Sequence, residues 1–317
     1  MERESIDRIK NNIGKVIVGK ESVIDLLLTA LLADGHVLID DVPGTGKTKL
    51  ANTLARSLGS DFKRIQFTPD LQPADVTGIY YYNQKKGEFI FREGPILTNI
   101  VLADEINRAV PRTQASLLEA MQERQVTVEG DLFKIEEPFM VIATQNPVES
   151  EGTFPLPEAQ LDRFLLKIKM GYPTQEEEVS ILQRFKKGDP IENLSSVIDK
   201  IDIINLRKEV IKVTLAEELQ DYIVKLSKAS REDQRLKLGL SPRGSLAIMK
   251  ASMAFAYIKG RDYVLPDDIK FLFPYVSEHR LILSDNSELQ GIMKERVIRD
   301  IINDIEVPVE GVINGSS

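Results

Sequence analysis

Residues 40–50 read Asp40-Asp41-Val42-Pro43-Gly44-Thr45-Gly46-Lys47-Thr48-Lys49-Leu50, with the apolar run Val37-Leu38-Ile39 before them and a helix-forming run after them. Strand, glycine-rich loop and helix, in that order, form a cradle for phosphate. Gly44 and Gly46 carry no Cβ, so backbone N–H groups can approach phosphate oxygens closely. A helix beginning near Lys47 adds the positive end of its dipole. Lys47 is expected to reach the β- and γ-phosphates of a nucleotide, and the Thr48 hydroxyl to ligate Mg²⁺. The strict pattern has glycine where this chain has Asp41. A carboxylate repels phosphate, so Asp41 is expected to point away from it. A glycine-rich turn before a helix also arises by chance. What decides is whether the rest of the chemistry is present elsewhere.

A second set of residues supplies it. Residues 99–105, Asn-Ile-Val-Leu-Ala-Asp-Glu, form an apolar run ending in two carboxylates. In an open α/β sheet, ligands gather at the carboxyl ends of strands. Asp104 is expected to hold Mg²⁺ through its water shell, and Glu105 to polarise the attacking water. An isolated Asp-Glu pair reads as plain solvation. Beside Lys47 and Thr48 it reads as catalysis. Asn146 follows the next apolar run, residues 139–144, where a neutral amide can position water and touch the γ-phosphate. It also suits an Asx turn before Pro147, and both can hold together. Arg163 follows in Leu161-Asp162-Arg163-Phe164, and Arg243 lies just inside a helix start at Ser241-Pro242. A lone arginine is ordinarily a solvated surface residue. An arginine supplied by a lid or a neighbour stabilises charge on a transferring phosphoryl group.

The elements that must position these groups are legible as patterns. Ile6, Ile9 and Ile13 recur at helical spacing, and residues 21–33 form a second helix with Val23, Ile24, Leu27, Leu28 and Leu31 on one side. Residues 64–68 alternate as a strand. Residues 80–91 place two aromatic runs about a polar turn and predict a β-hairpin. Its aromatics either pack locally or grip a substrate. Residues 112–121 are helical, and residues 125–135 form a second hairpin about Glu129-Gly130-Asp131. Residues 165–168 are a last short strand. Apolar strands alternating with helices predict a mainly parallel sheet covered on both faces. After Gly171-Tyr172-Pro173 the pattern turns almost wholly helical, opening on Thr174-Gln175-Glu176-Glu177 with capping-box spacing. The expected organisation is an α/β nucleotide-binding core over residues 1–188, a helical domain over 189–310 and a disordered tail over 311–317.

Composition narrows the function classes. The chain has 317 residues, 42% hydrophobic and 28% charged, as in a soluble globular protein. It has no cysteine, which excludes disulfides, thiolate metal sites and cysteine nucleophiles. His36 and His279 are the only histidines, too few for a histidine metal site. His36, just before a strand, is expected in a turn or at the surface. The charged N-terminus shows no signal peptide, and no apolar run approaches a membrane span. A cytoplasmic protein without membrane insertion is expected. The net charge of −8 argues against general nucleic-acid binding.

Taken together, the chain resembles the MoxR family of AAA+ ATPases. The likeness rests on the phosphate loop, on residues 103–109 (ADEINRA), 114–123 (QASLLEAMQE) and 143–147 (ATQNP), and on 151–164 (EGTFPLPEAQLDRF), 241–243 (SPR) and 260–268 (GRDYVLPDD). It spans roughly residues 5–280. The family also carries Asp-Val-Pro-Gly in its loop, which accounts for Asp41. The resemblance implies Walker A at Lys47 and Thr48, Walker B at Asp104 and Glu105, and sensor 1 at Asn146. It implies a trans-acting arginine finger at Arg163, with Arg108 and Arg112 as alternatives, and sensor 2 at Arg243. ATP would lie against Val18, Gly19, Pro43, Gly44, Thr45, Gly46, Lys47, Thr48 and Lys49, with Mg²⁺ at Thr48 and Asp104. The two hairpins would be the helix-2 and pre-sensor-1 inserts, and the helical domain the AAA lid. The family is generally hexameric and chaperone-like. It remodels or matures protein complexes, often with a partner carrying a von Willebrand factor A domain. The same site and inserts also occur in DNA-associated AAA+ motors and magnesium-chelatase-type subunits. A nucleotide switch that barely hydrolyses is a third class, disfavoured by the complete set Asp104, Glu105, Asn146, Arg163 and Arg243.

Overall fold

The computed structural model describes residues 2–40, 42, 44–146, 152–186 and 188–308. Compactness divides the chain into two units, Met1–Ile211 and Lys212–Ser317.

In the first unit, α1 (Glu2–Gly14) and α2 (Glu21–Leu32) precede β1 (Val37–Asp40), and α3 (Lys47–Ser57) follows the loop. Then come β2 (Phe62–Gln66), the short α4 (Pro73–Thr77), and the hairpin strands β3 (Gly78–Asn83) and β4 (Glu88–Glu93). Next are β5 (Ile100–Asp104), α5 (Pro111–Glu123), and a second hairpin of β6 (Gln125–Val128) and β7 (Asp131–Lys134). The unit continues with β8 (Met140–Gln145), α6 (Glu158–Leu161), β9 (Leu166–Ile168), α7 (Gln175–Phe185) and α8 (Lys200–Val210).

Five strands form one sheet in the order β2-β5-β8-β1-β9, every neighbour pair parallel. β5 and β8 are buried along almost their whole length, so they read as continuous apolar runs with no alternation. Register brings the strand ends level. Asp40 stands opposite Gln145, Gln66 opposite Asp104, and Ala103 opposite Ala143. The core joins Leu38, Phe67, Val101, Leu118, Val141 and Phe164.

Both predicted hairpins form. Glu129 and Gly130, at φ +51° and +97°, make the two-residue turn that suits strand twist. Phe91 of the first hairpin stacks on Phe133 of the second at 3.9 Å, and the Tyr80 hydroxyl donates to Asp131.

Two expectations are corrected here. His36 is neither in a surface position nor an exposed turn: it is 4% exposed. Its Nδ1 accepts the Val141 N–H at 3.0 Å, and Nε2 lies 3.1 Å from the Met121 carbonyl, which fixes the Nε2–H tautomer. The ring ties the start of β1 to β8 and to the end of α5. Burial, with the nearby Arg124 charge, pushes its pKa down to about 3. The second correction concerns the boundary. Compactness divides the chain at 211–212, after the expected 188–189. Residues 189–211 pack on the first unit because the Val197 N–H donates to Ser57 O at 3.0 Å, Asn12 Nδ2 to Ser195 O at 2.9 Å and Arg207 Nε to Leu31 O at 3.0 Å.

The second unit is built on α9 (Glu217–Glu232), α10 (Pro242–Ile258), α11 (Pro266–Ser277), the short α12 (Asp285–Leu289) and α13 (Lys294–Asp304). Ser241 caps α10 as its sequence predicts, accepting the Gly244 N–H at 3.4 Å. Tyr222, Leu226, Ala251, Leu272 and Phe273 are buried inside it. A two-stranded antiparallel sheet, β10 (Leu236–Leu238) with β11 (Ile282–Leu283), accompanies the helices that the sequence predicts for almost all of this unit. The expected tail, 311–317, lies outside the described residues. No helix of the described residues is long and apolar enough to cross a membrane.

Candidate nucleotide site

The loop between β1 and α3 turns on two glycines in the left-handed region, Gly44 at φ +85° and Gly46 at +89°. A Cβ at either would meet nothing within 4 Å, so the loop arches over open space. A residue with a Cβ would be strained at these angles. Gly46 stands at the N-cap of α3 with no side-chain cap. The first-turn N–H groups of a helix lack intrahelical partners, so this end suits an anion. Lys47 folds back over the loop, its ammonium 3.2 Å from the Val42 carbonyl. Asp41 and Pro43 lie outside the described residues.

Gly44, Gly46, Lys47, Thr48 and Lys49 line one side of a cleft of about 520 Å³, and Arg64, Gln66, Asp104 and Glu105 line the other. A larger cleft, about 620 Å³, opens by Phe62 and Asn99, at the opposite ends of β2 and β5. It has neither a glycine loop nor a helix start, so the chemistry selects the smaller one.

The carboxylates are held by neighbours far away in sequence. Thr144 Oγ1 donates to Asp104 Oδ1 at 2.6 Å and accepts the Glu105 N–H at 2.9 Å. Arg64 donates to Asp104 Oδ2 through Nε at 3.1 Å and Nη2 at 2.6 Å. Gln66 Nε2 donates to Glu105 Oε2 at 2.8 Å, and Arg108 Nε pairs with the same oxygen at 3.3 Å. Glu105 takes φ +56°, turning the chain at the end of β5. At the end of β1, Asp40 is neutralised by Lys167 of the neighbouring β9 at 2.6 Å. Arg64, Gln66 and Thr144 were not anticipated from the sequence. Nothing in their spacing marks them, because β2, β5 and β8 meet only in the folded sheet.

The remaining candidates divide. Asn146 is buried directly after β8, next to the carboxylate strand. Thr45 Oγ1 donates to Val42 O at 3.4 Å, within the loop. Lys49 borders the cleft, yet its ammonium pairs with Asp189 and sits 5.3 Å from the Phe185 ring centroid. The Lys49 hydrogen bond holds the Asp189 carboxyl below its usual range. Val18 and Gly19 do not line the cleft. Gly19, at φ +66°, packs against the Glu177 side chain, and a Cβ there would fall 1.8 Å from the carboxylate. Arg163 follows α6, half-buried and outside the cleft lining. Arg243 is exposed in the first turn of α10, in the other unit. Arg112 is exposed in the first turn of α5.

The residues present fit a Mg²⁺–nucleotide. The loop leaves room for phosphate, and Thr48 with Asp104 offers the hard oxygen donors Mg²⁺ takes. Among the described residues no group of three or more His, Asp or Glu forms a metal cage. Mg²⁺ characteristically relies instead on one or two carboxylates plus substrate phosphates.

A phosphate loop at the end of a central parallel strand, two carboxylates on the strand beside it but one, and a separate helical unit define an AAA+ ATPase fold. Comparison with known proteins agrees. The family model for the ATPase family associated with various cellular activities matches residues 36–166, and the AAA lid domain model matches residues 228–301. The uncharacterized protein YeaC of Bacillus subtilis is 53% identical over 94% of this chain and 93% of its own length. The chaperone MoxR1 of Mycobacterium tuberculosis is 40% identical over 97% of this chain and 83% of its own length. A crystal structure from Cytophaga hutchinsonii, described as a candidate ATPase, superposes with a TM-score of 0.92 at 40% identity, covering 97% of this chain and 96% of that one. The chain belongs to the MoxR family of AAA+ ATPases.

Proposed function

We propose that this protein hydrolyses ATP to ADP and phosphate with Mg²⁺, and uses the energy to remodel or mature protein complexes. One observation carries the reading: the glycine loop with Lys47 and Thr48 faces Asp104 and Glu105 across a single cleft. Lys47 and the α3 N-terminus would bind the β- and γ-phosphates. Thr48 and Asp104 would hold Mg²⁺, which neutralises charge on the phosphate oxygens. Glu105 would accept a proton from the attacking water, oriented with help from Asn146. Arg163 is proposed to act on a neighbour's nucleotide, and Arg243 to complete the site from the lid. The proposed assembly is a homo-oligomer, a hexamer, in the cytoplasm. A von Willebrand factor A domain protein and a protein client are the proposed partners. The name of the mycobacterial relative, a chaperone, supports the remodelling role.

The test separates binding from chemistry. Lys47→Ala should abolish ATP binding, read with a fluorescent nucleotide. Glu105→Gln should bind normally but release phosphate about 10²–10⁴-fold more slowly, the usual range for a lost general base. Wild-type turnover by Glu105→Gln would remove Glu105 from the mechanism.

A further inference from the structure

We propose that Arg64 is a charge latch on the metal carboxylate: it holds Asp104 in the metal-free protein and must leave when a divalent cation arrives with nucleotide. The proposal rests on the Mg²⁺–nucleotide reading of the cleft.

Both oxygens of Asp104 are already engaged. Oδ1 receives the Thr144 hydroxyl at 2.6 Å, and Oδ2 receives Arg64 Nε at 3.1 Å and Nη2 at 2.6 Å. The same Nη2 donates to Gln66 Oε1 at 2.5 Å, and Gln66 Nε2 donates to Glu105 Oε2 at 2.8 Å. Arg64 and Gln66 sit two apart on β2, so their side chains leave the same face of the strand. From that face they reach the metal carboxylate and the water-activating carboxylate at once. The two carboxylates are therefore joined by a continuous chain of hydrogen bonds through β2.

A guanidinium on Asp104 repels any divalent cation brought to that carboxylate, whether directly or through water. Coulomb repulsion over a few ångströms is substantial at the effective dielectric of a protein surface. Metal alone must overcome it. Metal with triphosphate does not, because the phosphates supply the anion to which both cations can turn. The latch can open. The Arg64 side chain is 47% exposed, whereas that of Asp104 is 12% exposed, so the arginine is the partner free to swing. Ion pairs with one exposed member contribute little net stability. The arrangement thus couples metal occupancy at Asp104 to nucleotide occupancy.

A merely structural brace between β2 and β5 would have the same hydrogen bonds, so the experiment reads metal affinity directly. Mn²⁺ is titrated into the nucleotide-free protein and free Mn²⁺ is followed by electron paramagnetic resonance. Thermal unfolding confirms that each variant is folded. Arg64→Gln should bind Mn²⁺ about 10–10²-fold more tightly than wild type. Asp104→Asn added to that variant should remove the gain. Arg64→Lys keeps the charge without the two-donor fork and should fall between, which gives a second reading should Arg64→Gln not fold. Equal Mn²⁺ affinity in wild type, Arg64→Gln and Arg64→Lys, with Mn²⁺–ATP still bound by all three, overturns the latch and leaves the site reading standing. Failure of wild type to bind Mn²⁺ even with ATP overturns both.

Discussion

Thr144 serves both carboxylates with one hydroxyl, donating to Asp104 and accepting from the Glu105 backbone. Its position on β8 makes the strand beside β5 part of the site before any ligand arrives. The same strand β8 also holds His36. Its ring is buried and neutral, linked to Val141 and Met121, and held at a pKa of about 3 against an ordinary 6.5. Between those values the unfolded chain binds a proton that the folded chain does not. Stability from this group is therefore complete above pH 6.5 and is lost as pH falls towards 3. Urea unfolding of wild type and His36→Gln from pH 7.5 to 4.5 should show it. Wild type should be the more stable at pH 7.5, with its advantage shrinking below pH 6.5 by at most about 1.4 kcal/mol per pH unit. A gap that stays constant with pH would mean that His36 is not buried neutral.

At the scale of elements, the aromatic hairpin carries two rows of aromatics along one face. Tyr80 and Phe91 pair at 5.4 Å near the base, and Phe91 stacks on Phe133 of the second hairpin. Tyr82 and Phe89 pair at 5.3 Å further out, 54% and 69% exposed. Packing against the second hairpin thus holds for the inner row, while the outer row, Tyr82 and Phe89, stays exposed to solvent. Lys85 and Lys86 lie in its exposed turn. Phe91→Ala should lower stability by roughly 1–3 kcal/mol through the lost stack and buried area. Lys85→Ala with Lys86→Ala should change stability by less than about 0.5 kcal/mol, as surface substitutions do. It should leave basal hydrolysis nearly unchanged while weakening stimulation by a partner or client. Misfolding of the double-lysine variant would assign the whole hairpin to packing.

At the scale of the whole molecule, the question is where the last cation comes from. The cleft of the first unit carries Lys47, Lys49 and Arg64, and Lys49 is engaged by Asp189. Arg163 lies outside that lining, and its proposed role is on another chain's nucleotide. Such an arginine typically contributes on the order of 10³–10⁵ in rate. Turnover per chain should therefore rise with protein concentration as the oligomer forms. Mixing Arg163→Ala with Glu105→Gln chains should recover part of the activity, because mixed assemblies contain composite sites with both groups intact. A rate independent of concentration, without recovery in verified mixed assemblies, would place Arg163 in its own chain's service.

The sequence by itself determined the phosphate loop, the carboxylates of Asp104 and Glu105, both hairpins, the apolar strands and the cap at Ser241. Each is written within a dozen residues, as a turn-forming glycine, a capping hydroxyl or a period of two or 3.6. Tertiary structure alone decided the rest. It set β5 beside β8 and β8 beside β1, which brought Thr144 to Asp104 across 40 positions of chain. It placed Arg64 and Gln66 on both carboxylates, buried His36 where its neighbours suggested a turn, and attached residues 189–211 to the first unit. The physical reason is common to all of these. Periodicity records which face of an element is apolar, but strand order and register record which distant element covers it.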